Sequence, residues 1–144
     1  MYNFILQMHS GWAYVVLIML AIAIINAFIG LSSKNPFTLK DRRISLFAFI
    51  AAHIQILFGI ILYFVSPNGM EKIEKVGMSG MNGYDRLLAL EHPLTNIIAI
   101  ILITIGFSKH KTAVEERKFK SIAIFYSIAL ILLLIRIPWQ TWFS

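Results

Sequence analysis

The sequence predicts an all-α fold, a transmembrane four-helix bundle of up-down-up-down order, on three observations. The 144 residues are 58% hydrophobic and 14% charged, with mean hydropathy +0.76. A soluble domain usually carries about a quarter charged residues. Four nearly uncharged runs of roughly 18–22 residues each match about 30 Å of bilayer hydrocarbon at about 1.5 Å per residue. The charges collect in the links between these runs and not along one helical face, so the net charge of +6 does not point to nucleic acid.

The first helix is expected over residues 8–31, with Tyr2 as its earliest start. Its apolar run is too long for a signal h-region and no basic stretch precedes it, so it reads as an uncleaved span. The second is expected over residues 44–65, ended by Ser66 and Pro67. In the link that follows, GMEKIEKVG reads as a short surface helix and GMSGMNG as flexible loop, because glycine is costly to order. The third is expected over residues 87–107, LLALEHPLTNIIAIILITIGF, and holds Glu91, His92, Pro93 and Asn96 in its outer part. The fourth is expected over residues 121–140. Short links make successive helices antiparallel, and residues 1–144 read as a single domain.

Orientation follows from the links. The first holds Lys34, Lys40, Arg42 and Arg43 against Asp41, and the third holds Lys109, Lys111, Arg117, Lys118 and Lys120 against Glu115 and Glu116. The middle link is balanced. Excess Lys and Arg place the first and third links in the cytoplasm, with both termini and the middle link on the outer side. Trp12, Trp139, Trp142, Tyr2 and Tyr84 then fall near the outer interface, where amphipathic rings are favoured. The chain has no cysteine, which excludes disulfides, thiolate metal sites, covalent haem and cysteine nucleophiles. No phosphate loop, H-E-x-x-H or G-x-S-x-G occurs.

An ionisable group inside a span is expensive, so the polar residues of these runs are the candidate site. His53 lies about 15 Å in from Arg43 and needs a partner for its ring, with Gln55 two positions on. A structural bond to another helix, a ligand role and a relay role all stay open. His92 lies about 24 Å up from the cytoplasmic edge. Pro93 beside it cannot donate to the Ala89 carbonyl, which loosens that turn. Asn96 shares its face. Arg136 reaches the same level from the fourth helix, so a Glu91–Arg136 ion pair is the cheapest arrangement. That pair either locks two helices or lets Arg136 hold an anionic group. His9 joins this outer cluster if the first helix starts early. His110, in a basic link, is expected to be a solvated loop histidine.

MHSGW at Met8–Trp12, AHIQ at Ala52–Gln55, EHP at Glu91–Pro93, SKHK at Ser108–Lys111 and RIPW at Arg136–Trp139 carry a resemblance. With these motifs the whole chain resembles small bacterial four-helix membrane proteins labelled cytochrome B or cytochrome b-like. The resemblance implies a protein of the bacterial inner membrane that holds non-covalent haem b between two histidines. His53 and His92 are the first choice of iron ligands, with His9 as substitute, Arg136 on a propionate and Glu91 balancing it. Their depths differ by about 9 Å by residue count, which strains a shared iron. Such a protein would exchange electrons with quinone or a membrane redox complex, or handle haem, and an oligomer is compatible with that. Two other functions suit the same residues. One is a non-catalytic membrane subunit or assembly partner with purely structural polar contacts. The other is a small transporter or proton relay through His53, Glu91 and His92.

Overall fold

The computed structural model describes residues 1–142. In chain order it has α1 (Tyr2–Ser33), α2 (Leu39–Val65), α3 (Met70–Gly80) and α4 (Gly83–Arg86). A π-helical segment (Leu87–Glu91) then leads into α5 (His92–Thr112), α6 (Glu115–Ile135) and α7 (Trp139–Trp142). No strand occurs among the described residues. Four stretches are long and apolar enough to cross a membrane: Tyr2–Ser33, Leu39–Val65, Gly83–Thr112 and Glu115–Ile135.

The interior is rich in alanine beside a few large residues such as Leu20, Ile103, Ile122 and Tyr126, and many large apolar side chains are exposed. Ala23, Ala27, Ala48, Ala52, Ala99, Ala123 and Ala129 are buried, while Ile18, Ile22, Ile25, Ile29, Leu57, Phe64 and Ile131 are exposed. In water that distribution would leave most of the apolar surface unburied. In lipid it is the expected one, because acyl tails solvate isoleucine well and helices associate through the close approach of small residues. At Gly30 the ring of Phe119 lies where a β-carbon would stand, so α1 and α6 meet there because this residue has none.

The α1–α2 bonds run in opposite numerical sense, so those two helices are antiparallel. The Trp12 indole donates to the Ala51 carbonyl (2.8 Å), Gln55 to the His9 carbonyl (2.8 Å) and Asn26 to Asp41 (3.0 Å), tying α1 to α2. Ser121 donates to the Gly106 carbonyl (3.0 Å), tying α6 to α5. Buried Tyr126 donates from α6 to the Ser45 carbonyl on α2 (2.8 Å). The Trp12 N–H is thus taken up in holding two helices together.

Several boundaries also differ from expectation. α2 starts at Leu39 because Thr38 and Asp41 form a capping box, which carries the helix through the basic residues that follow. α3 runs on to Gly80, broken at Gly77 with φ 69°, a left-handed conformation that glycine adopts at little cost. α6 ends at Ile135, so Arg136 lies beyond the helix. Pro138 explains this, since the residue before a proline is driven out of the helical region. α5 continues to Thr112 and takes His110 with it. His110 is thus no solvated loop residue. It shares a face with buried Ile103, Gly106 and Phe107, and its ring sits 5.3 Å from Phe37 and 4.5 Å from Phe107.

Candidate functional site

Pro93 sets the local geometry. Without an N–H it leaves the Ala89 carbonyl free, and the chain responds with the π-helical turn Leu87–Glu91, where the His92 N–H reaches back to the Leu87 carbonyl. The Tyr63 hydroxyl crosses from α2 and donates to that Ala89 carbonyl (2.9 Å). A second tie joins the same helices deeper in: His53 Nε2 and the Thr104 hydroxyl are 3.1 Å apart. A cavity of about 750 Å³ is lined by residues of α1, α2, the π-helical segment, α5, α6 and α7.

The cavity is mostly apolar. Val16, Leu17, Ala52, Ile56, Ile97 and Ile100 are among its walls, and its lining contains no Asp, Glu, Lys or Arg. His9, Gln55, His92 and Asn96 supply polar groups from three helices. Gly59 lies beside the His9 ring: a β-carbon there would stand in ordinary contact, 3.4 Å from His9 Cε1.

The orientation of these groups follows from hydrogen-bond chemistry. His92 Nδ1 lies 2.8 Å from the Arg136 carbonyl, which only accepts, so Nδ1 carries the proton. Neutral His92 then has a lone pair on Nε2, and the Asn96 amide nitrogen donates to it at 3.1 Å. That bond turns Asn96 Oδ1 the other way. Gln55 is set by the same logic: its amide nitrogen donates to the His9 carbonyl, leaving Oε1 as the free end. Among the described residues four buried side-chain polar atoms lack a partner, and three of them, His9 Nδ1, Gln55 Oε1 and Asn96 Oδ1, sit on residues that line this cavity but are themselves shielded from it.

The structure brings together His9 and His92, whose rings stand edge to face with centroids 6.1 Å apart. Glu91 and Arg136 form the ion pair at 3.5 Å, half-exposed at the rim and outside the cavity lining. His53 stands apart. Its Nδ1–H donates to the Phe49 carbonyl at 2.7 Å, Nε2 meets Thr104, and it does not line the cavity. Among the described residues no hydrogen bond links His53, Glu91 and His92 into a relay. Haem b held by two histidines needs two unengaged imidazole nitrogens facing one iron. His9 Nδ1 is unengaged, whereas both nitrogens of His92 and of His53 are bonded, and no cation lines the walls to meet a propionate. The donor set does not fit that group.

Tyr63 and Thr104 were not singled out from sequence. Tyr63 had a readable signal, because the carbonyl freed by Pro93 demands a donor from a neighbouring antiparallel helix. Compared with models of protein families, with curated proteins and with solved structures, the chain gives no match, so the cytochrome b-like resemblance rests on its short motifs alone.

Proposed function

We propose that the chain is a multi-pass protein of the bacterial inner membrane whose cavity receives a neutral lipid-soluble molecule with an apolar body and a hydrogen-bonding head. The class that suits it best is the quinones, in electron transfer or carrier handling. One observation carries this reading: a cavity of about 750 Å³ has a mostly apolar lining with no Asp, Glu, Lys or Arg, and His9, Gln55, His92 and Asn96 are among its walls. The uncharged lining favours a neutral head, since an anion would enter without a counter-charge. The basic first and third links support a cytoplasmic placement for themselves, which puts the cavity in the outer half with both termini outside.

Mass spectrometry of solvent extracts from the detergent-purified protein tests the reading. The expected result is about one neutral lipid-soluble molecule per chain, reduced several-fold in Gln55→Leu and in Asn96→Leu while thermal unfolding stays cooperative. Retention unchanged in both variants, or nothing beyond bulk phospholipid, contradicts it and leaves a non-catalytic membrane subunit. The structural bonds of His53, Trp12 and Tyr126 suit that second reading. Absorption spectra of the same sample address haem directly: a stoichiometric Soret band lost in His9→Ala would restore a haem centre.

A further inference from the structure

A second pocket, of about 490 Å³, lies at the other end of the bundle, and three cations line it. Arg42 comes from the start of α2, Lys111 from the end of α5 and Lys118 from the start of α6. No acidic residue shares that lining. Carboxylates of the flanking segments are engaged elsewhere: Asp41 accepts from the Thr38 N–H and hydroxyl and from Asn26, and Glu115 accepts from the Phe37 N–H. Among the described residues Arg42, Lys111 and Lys118 take part in no ion pair.

The pocket is held in shape by its own walls. Lys118 donates to the His110 carbonyl (2.8 Å), tying α6 to the end of α5. The Phe37 ring lies 5.3 Å from the buried His110 ring and 4.9 Å from Phe119, which seats the first link against both helices. Like charges gathered without a counter-charge repel one another, so an anion that enters relieves them. Location narrows the choice of anion. The pocket sits where stretches long enough to cross a membrane begin and end, and Leu39, 59% exposed, stands in its wall beside the cations.

We infer that this pocket binds the phosphate of an acidic phospholipid headgroup, with Arg42 and Lys111 holding the phosphate and Leu39 against the glycerol end of the acyl chains. The site is separate from the apolar cavity and does not depend on the reading of it. A zwitterionic headgroup brings its own cation into the cluster, so phosphatidylglycerol is preferred to phosphatidylcholine. Soluble phosphate shares the anionic chemistry but gains nothing from Leu39.

Native mass spectrometry of the full chain in detergent, titrated with each of the two lipids, tests this. Phosphatidylglycerol is expected to bind about fivefold or more tightly than phosphatidylcholine, and millimolar inorganic phosphate is expected to leave it in place. Arg42→Gln and Lys111→Gln are each expected to weaken phosphatidylglycerol about fivefold and leave phosphatidylcholine unchanged. Both positions are exposed, and if gel filtration shows a fold defect in one variant the other decides. Lys120→Gln removes the same charge from α6 outside the pocket, and the expected change is less than about twofold. An equal loss in Lys120→Gln would mean diffuse attraction to the basic links and overturn the site, as would phosphatidylglycerol bound no more tightly than phosphatidylcholine. Displacement of the lipid by inorganic phosphate would overturn the lipid assignment in favour of a soluble phosphate.

Discussion

Proline 93 shows how one missing hydrogen organises a site. It frees the Ala89 carbonyl, the π-helical turn before it re-aims the chain, and Tyr63 fills the gap from α2. Tyr63→Phe removes that donor and leaves a carbonyl unsatisfied in a low-dielectric setting. The expected loss is about 1–3 kcal/mol of stability, read as a lower melting temperature in nanodiscs. A wild-type melting curve in the variant would contradict the assignment. His92 could be picked out from sequence because a histidine within a span demands attention, and its place beside Asn96 followed from four-residue spacing. His53 drew the same attention, and its ring meets Phe49 and Thr104 outside the cavity. Depth alone does not separate the two cases, because both lie in apolar runs and only the neighbouring helix decides what the ring meets.

At the scale of elements, four long apolar runs were legible because membrane length and hydropathy act on every residue at once. Their ends were less so. Thr38 with Asp41 extended α2 backward, and Pro138 cut α6 short, leaving Arg136 outside the helix. The Glu91–Arg136 pair lies at that frayed end with both side chains more than two-fifths exposed, so its contribution is small. Arg136→Gln is expected to change stability by less than about 1 kcal/mol in chemical denaturation. A loss several times larger would show that the pair is a structural lock. Contact between α1 and α6 is the opposite case. Gly30→Leu places a side chain into Phe119, and the expected penalty is about 1–3 kcal/mol with reduced yield of folded protein in size-exclusion chromatography.

For the whole molecule, the alanine-rich interior and the many exposed isoleucines suit an apolar solvent, and composition already pointed there. Orientation rests on the basic first and third links. Since the chain lacks cysteine, single substitutions report it cleanly. Asn82→Cys is expected to react with a membrane-impermeant maleimide in intact cells, and Ala113→Cys only after permeabilisation; the reverse pattern would invert the topology. The cavity could not be read from sequence, because its walls come from several helices that ties such as Tyr63–Ala89 and His53–Thr104 bring together. That arrangement joins residues 26 and 51 positions apart, and no local pattern encodes it.

Photo-crosslinking tests the central claim most directly. A short-chain quinone carrying a diazirine would be irradiated with the protein in nanodiscs, and the labelled peptides mapped by mass spectrometry. Adducts concentrated on Gln55–Gly59 and His92–Ile97, and displaced by unlabelled quinone, are the predicted result. Adducts spread over the lipid-facing isoleucines Ile18, Ile22 and Ile25, undiminished by competitor, would mean that the cavity does not hold such a ligand.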